Sequence, residues 1–337
     1  MSKIRIAINK LKTPMQLASA LLLIRLVTIT TLHFDVLLGF GDLRQLFNLA
    51  SIPGLPYIDH WSEYPPLLPF FIEFIHWLCG GVDTKFTYMF LTILAISDAA
   101  NIYLFANILN GSHPEISKGP IVWIYFIILA ALPYSWWYLD PIAVTCLLLA
   151  VYLIIKKTST LAKIPLLIGL MFKVFPGFFI VPLIKNKPVN QLIKTLFIVS
   201  VVVLIVYLGL WLISPDFTQA SIVSQFSKGS WETVWALIDG NLGTGNFGPL
   251  IQRLEPEYAY ISNRNPAIIP SSLTLIVAIA LGFYLFLKVK IREPIGEISL
   301  LGLTFTIFFL WSPGWSPQWI LYLIPIILLS LSGHRGF

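Results

Sequence analysis

Charge is what this sequence has least of. Only 11% of its 337 residues are Asp, Glu, Lys or Arg, where a soluble globular domain carries about 25%. Sixteen acids and 22 bases are too few to coat a water-soluble globule of this size, which excludes an ordinary soluble enzyme. Cysteine is nearly absent. Cys79 and Cys146 both sit in apolar runs, which excludes a secreted disulfide scaffold and marks both as packing residues. Internal repeats and low-complexity runs are lacking, and 57% of the chain is hydrophobic, so a disordered chain is excluded as well. What remains is an all-α polytopic integral membrane protein, read as a single membrane domain over residues 1–337. The net charge of +6 calls for no nucleic-acid partner, because loop sorting accounts for it.

A membrane helix takes about 20 mostly apolar residues. Apolar runs lie at 15–34, 86–109, 119–134, 138–156, 161–184, 192–214, 269–288, 297–311 and 317–332. With shorter segments counted, they predict about nine to eleven membrane helices. The first run follows Lys3, Arg5, Lys10 and Lys12 like a secretion signal. Arg25 interrupts it, however, and no small-x-small cleavage site precedes Asp35, so a retained helix is expected. Residues 65–79 carry Glu73 and His76 and are expected to lie along the surface or dip partway in. Residues 161–184 hold Lys173 and Pro176 near their centre and bases at both ends. Two short helices meeting near Lys173 put both basic ends in the cytoplasm, as basic loops prefer.

That choice makes the sidedness consistent, with both termini inside. Fifteen of the 22 bases, from Lys3 to Arg335, then face the cytoplasm. Arg44, Lys85, Lys228, Arg253 and Arg264 stay outside, and Arg25 and Lys173 lie at membrane depth. Of the acids, Glu115, Glu293 and Glu297 fall inside, Asp98 lies in a span and twelve face outward. Two long outer-face loops result, 35–85 and 214–268. Trp61, Trp231, Trp235, Phe247 and Tyr258 mark them as packed rather than disordered.

The first outer loop offers Asp42, Asp59, His60 and Glu63. Asp42 precedes LRQLFNLA, whose Leu43, Leu46, Phe47 and Ala50 share one face of a short amphipathic helix. Asp42 is therefore either a helix N-cap or a catalytic carboxylate. Asp59, Glu63 and Tyr64 are candidate sugar contacts or loop-stabilising groups. Asp140, before Pro141 and a span, is either an N-cap or a donor-sugar contact. Lys173 is the only lysine well inside an apolar segment, and such a charge is a functional candidate; snorkelling is the alternative. Gln318 begins the last span and offers an amide to phosphate or sugar. Arg253 and Arg264 read as solvated loop charges. Arg25 and Asp98, at mid-depth in their spans, are expected to pair structurally, directly or through Asn101.

The order of six short motifs carries a resemblance. Gly41-Asp42, Gly54-x-Pro56-Tyr57 and Glu63-Tyr64-Pro65-Pro66-Leu67 come first. Leu139-Asp140-Pro141, Lys173-Val174-Phe175-Pro176 and Ser316-Pro317-Gln318-Trp319 follow. Together they resemble the GT-C glycosyltransferases, above all the polyprenol-phosphate-mannose-dependent mannosyltransferases and their prokaryotic relatives. The family's Tyr a few residues beyond the loop acid is replaced here by Leu46-Phe47. The resemblance implies a prokaryotic plasma-membrane enzyme with its site on the outer face. It would transfer mannose or another hexose from a polyprenyl-phosphate donor to a glycolipid, glycan or protein hydroxyl. Asp42 would be the general base. General chemistry adds that Lys173, aided by Gln318, would hold the leaving phosphate. The lipid-linked sugar is then a substrate, and neither cofactor nor metal is expected. A transporter or flippase of a lipid-linked envelope intermediate is the alternative. It would need no aromatic, acid-bearing outer loops and would often show two similar halves.

Overall fold

A computed structural model describes residues 13–331 apart from 113–118, 159, 186, 244 and 292–293. Part of the sidedness argument rests on Lys3, Arg5, Lys10, Lys12, Lys118, Arg292, Arg335, Glu115 and Glu293, which lie outside the described residues. Among the described residues there are sixteen α-helices, four short 3-10 turns and no strand.

The chain enters through α1 (Pro14–Thr31). Thr13 caps it: Gln16 N–H donates to Thr13 Oγ1 at 3.2 Å and Thr13 N–H returns to Gln16 Oε1 at 3.1 Å, with Pro14 at the first helical position. The segment that follows folds into α2 (Phe34–Leu38), the amphipathic α3 (Leu43–Ala50) and α4 (Leu67–Leu78). Helix α5 (Asp83–Ser112) is the central pillar. Its 30 residues span about 45 Å, and α1 packs along it. Three elements follow: α6 (Gly119–Ala131), the one-turn α7 (Tyr134–Trp137) and α8 (Asp140–Ile155). Helix α8 packs on α5 from a second side.

Residues 161–184 form a broken element. Helix α9 (Lys163–Phe172) ends at Lys173, whose backbone is extended (φ −155°). A 3-10 turn (Phe175–Phe179) and α10 (Ile180–Ile184) come next. Pro176 explains the break: it has no N–H to donate to Phe172 O and its ring would clash with that carbonyl, so the helix cannot run on through Lys173, and the proline instead opens the 3-10 turn that follows. Helix α11 (Val189–Ile213) is long and apolar, yet only Thr195 and Val199 are buried. Its remaining apolar surface faces outward, as a lipid-facing helix requires. The long segment after α11 folds into α12 (Pro215–Ser224), α13 (Val234–Asp239) and two 3-10 turns at Leu250–Leu254 and Pro256–Tyr260. Helices α14 (Ser271–Lys288) and α15 (Pro294–Trp311), a 3-10 turn (Pro317–Trp319) and α16 (Ile320–Leu331) complete the chain.

Helices α1, α5, α11 and α14 are each long and apolar enough to cross a membrane, and the protein is a membrane protein. Seven further apolar segments are shorter. One large apolar core joins α1, α5, α6, α8, α15 and α16. A second lies under α2 to α4, so the segment between α1 and α5 is folded onto the bundle. Phe175 sits at the junction. Its ring centroid is 4.6 Å from that of Trp319 and 5.1 Å from that of Tyr322. The break that carries Lys173 is therefore wedged against the start of the last helix.

Candidate active site

Two segments distant in sequence are joined where Asp42 stands. Gly39 and Gly41 lie so close to Trp137 that a Cβ at either would overlap its indole or its main chain. Asp42 N–H donates to Trp137 O at 2.9 Å, and Tyr138 Oη–H donates to Phe40 O at 3.2 Å. The glycine in Gly41-Asp42 thus permits a close backbone approach. It sets Asp42 beside Asp140, the first residue of α8.

Asp42 occupies the N-cap position of α3 but makes no capping bond, and its backbone is helical (φ −83°, ψ −7°) where a capping residue is extended. The N-cap alternative is corrected accordingly, because the carboxylate is not spent on the helix end. Asp42 is half-buried, and its pKa is pushed up to about 6. Desolvation is the first cause. Lys173 opposes it, Asp140 and Glu63 reinforce it, and Lys228 opposes it weakly.

Lys173 Nζ lies 2.7 Å from Asp140 Oδ2. Asp140 is fully buried, and its Oδ1 has no hydrogen-bond partner. Leu139, not Asp140, takes the N-cap position of α8, so the capping alternative for Asp140 is corrected too. Snorkelling does not describe Lys173 either, since its charge is met by this carboxylate inside the protein. Gln318 is buried with its Oε1 unpartnered. It precedes Trp319, which meets Phe175 edge-to-face beside the same break.

Glu63 forms an ion pair with Arg253. Arg253 is 2% exposed, with its guanidinium carbon 3.8 Å from the Trp61 ring centroid and 5.0 Å from that of Phe247. Trp61 N–H donates to Arg253 O at 3.0 Å. Trp61 Nε1–H reaches both Gln252 O and Glu255 O at 3.1 Å. The expectation of a solvated Arg253 is therefore overturned: this residue staples the 35–85 and 214–268 segments together. Arg264 is not freely solvated either, as its Nε and Nη2 are buried without a hydrogen-bond partner.

Asp59 serves its own loop. Its Oδ2 accepts from Leu55 N–H at 2.7 Å, and it packs against Gly54, whose φ of +89° and lack of space for a Cβ demand glycine. Tyr57 next door holds φ +69°, an uncommon backbone for a bulky residue. It is fixed by Tyr57 N–H to His60 O at 2.8 Å and Tyr57 Oη–H to Tyr64 O at 2.6 Å. Burial raises the Tyr64 phenol well above its usual pKa, and the nearby Asp42 and Glu63 raise it further.

One site residue escaped the sequence reading, which placed Lys228 among the outer-loop charges. It is half-buried, with its ammonium 5.8 Å from the Tyr64 ring centroid. Burial pushes its pKa down, and it faces Glu63, Arg253, Lys173 and Asp42. Its only sequence signal is a lone cation between Phe226 and Trp231 in an aromatic-rich loop.

Behind the site, Arg25 of α1 and Asp98 of α5 meet directly at 2.8 Å. Arg25 also donates to Leu129 O and Ser135 Oγ and lies 4.6 Å from the Trp136 ring centroid. This buried pair anchors α7, the turn that presents Trp137 to Gly41. Asn101 does not bridge the pair; its Nδ2 donates to Pro141 O at 3.1 Å. Among the described residues, no three His, Cys, Asp or Glu side chains cluster closely enough to hold a metal ion.

No family model matches the chain, and neither a curated protein nor a solved structure is significantly similar to it.

Proposed function

We propose that this protein is a GT-C-type membrane glycosyltransferase that moves a hexose, such as mannose, from a polyprenyl-phosphate donor to an acceptor hydroxyl. The supporting observation is the Asp42 carboxylate. It is free of capping duty and raised to about 6 by burial, and it faces Lys173 and Lys228 at the junction of two outer loops. A base with this pKa is roughly nine-tenths ionised at pH 7 and remains a better proton acceptor than a solvated carboxylate.

Asp42 takes the proton of a glycolipid, glycan or protein hydroxyl as its oxygen attacks the anomeric carbon, with inversion. Lys173 and Gln318 lie on the phosphate side. Tyr64 and Tyr138 offer aromatic faces and hydroxyls to the sugar. In this reading the shorter apolar segments complete about nine to eleven crossings. The termini then lie in the cytoplasm of a prokaryotic cell, and Asp42 faces outward across its plasma membrane. The test is transfer of labelled mannose from a polyprenyl-phosphate donor by the purified protein. No transfer from any polyprenyl-phosphate hexose to any hydroxyl acceptor would end the proposal.

A further inference from the structure

Three carboxylates and three cations converge at the candidate site: Asp42, Glu63 and Asp140, with Lys173, Lys228 and Arg253. Two of the cations are already matched. Lys173 is 2.7 Å from Asp140, and Arg253 is paired with Glu63 under two aromatic rings. Asp42 and Lys228 are left over. They attract each other, yet among the described residues no ion pair within 4.0 Å joins them. A base and an unmatched ammonium thus stand in the same cluster without forming an ion pair.

The proposed reaction changes charge within such a cluster. The donor is a phosphodiester with one negative charge. Asp42 accepts the acceptor's proton, and the acceptor oxygen bonds to the anomeric carbon. The bond from that carbon to the phosphate oxygen breaks, and its electron pair leaves with the phosphate. Polyprenyl phosphate departs as a monoester dianion, one charge more negative than it arrived. Asp42 has meanwhile become neutral, so Lys228 loses its nearest unpaired anion as the phosphate gains a charge. A cation that no carboxylate of the protein already compensates adds to Lys173 in stabilising that charge.

We infer that Lys228 is the second phosphate-binding residue of this site and the cation that meets the charge developing on the leaving polyprenyl phosphate. The inference rests on the proposed glycosyl transfer. The Tyr64 ring lies against the lysine, its centroid 5.8 Å from the ammonium. The position on α12's exit, in the second outer loop, brings the phosphate ligand from one loop to the base from the other. The Glu63–Arg253 staple holds the two loops in that register.

The test measures binding of the product, so it does not depend on turnover. Purified full-length protein in detergent carries Asp42→Asn to prevent transfer, alone or combined with Lys228→Met or Lys228→Arg. Each is titrated with undecaprenyl phosphate, undecaprenol and inorganic phosphate by intrinsic tryptophan fluorescence. The expected result is that Lys228→Met weakens undecaprenyl phosphate about 10- to 100-fold. Lys228→Arg should retain most of the affinity, and undecaprenol should bind equally weakly to all three. Inorganic phosphate competing as well as the lipid phosphate would show a site for the free ion and overturn the lipid assignment. Equal undecaprenyl phosphate affinity in the Met variant and its parent would overturn the role of Lys228 while leaving the glycosyltransferase reading in place. A parent protein that distinguishes neither phosphate nor alcohol would overturn both. Thermal unfolding of each variant separates lost binding from lost folding.

Discussion

Lys173 Nζ stands 2.7 Å from Asp140 Oδ2 at a point where α9 breaks and α8 begins. The contact fixes three elements at once: the broken segment, the first turn of α8 and, through Phe175, the start of α16. Removing one member of a buried ion pair leaves an uncompensated charge and typically costs about 3–5 kcal/mol. Lys173 keeps some solvent contact, 18% of its side chain, so the lower end of that range applies to Asp140→Asn. We expect Asp140→Asn to lower the thermal unfolding midpoint of the detergent-solubilised protein. The Asp140→Asn/Lys173→Met double variant should recover part of the loss. A double variant no more stable than Asp140→Asn would show that the pair is not what holds the break.

Under the proposed glycosyl transfer, Asp42→Asn separates catalysis from folding. Asp42 makes no capping hydrogen bond, so its removal costs the helix little. Its pKa is raised from 3.8 to about 6, which means the folded protein binds this proton more tightly than the unfolded chain does. Stability from this group therefore rises as pH falls from about 6 towards 4, and above pH 6 the ionised, desolvated carboxylate weighs against folding. At pH 7 we expect Asp42→Asn to be neutral or mildly stabilising, measured by thermal unfolding. Transfer should drop about 10²- to 10⁴-fold. The wild-type rate should fall as pH drops below about 6, because the base is then protonated.

Much of this arrangement was legible in the chain, and the reasons for the gaps are specific. Helical class and the break at Lys173 follow from apolar run length and Pro176, which are local properties. Arg25 and Asp98 could be matched because two opposite charges at similar depth have few alternative partners in a membrane. The purpose of Gly41 was not legible, since its neighbour Trp137 lies 96 positions further along and only folding brings its backbone there. Arg253 was misread for the same reason. A basic residue in a polar loop looks solvated until Trp61, Phe247 and Glu63, two of them from the other loop, close over it. Lys228 was passed over because what distinguishes it is the absence of a partner, a property of three-dimensional neighbours.

The staple between the loops yields its own expectation. Arg253→Ala removes a guanidinium sandwiched by Trp61 and Phe247 and leaves Glu63 buried alone. Glu63→Gln keeps the shape and leaves Arg253 with its aromatic contacts. Arg253→Ala should therefore destabilise more than Glu63→Gln, by about 1–3 kcal/mol. It should also expose the 225–265 segment to limited proteolysis at temperatures where the wild-type protein resists. If the two variants were cleaved and unfolded alike, the aromatic sandwich would carry none of the staple's strength.

His60 sets an acid limit on the same loop. It is 4% exposed, and its pKa is lowered from 6.5 to about 4. Burial is the main cause, opposed by a bond to the Pro53 backbone and by Asp59. The folded protein thus keeps His60 neutral where the unfolded chain would protonate it. The stability from this group is complete above pH 6.5 and is lost as pH falls through the window from 6.5 to 4, amounting to about 3 kcal/mol at pH 4. Asp42 has the opposite slope over part of that window, because its proton is favoured in the fold. Wild-type stability should therefore change gently between pH 6 and 4. Asp42→Asn removes the compensating slope and should make acid unfolding steeper, whereas His60→Gln should make it shallower. Thermal unfolding midpoints recorded from pH 4 to 7 for the three proteins check both signs, and identical slopes in wild type and His60→Gln would show that His60 is already protonated in the folded loop.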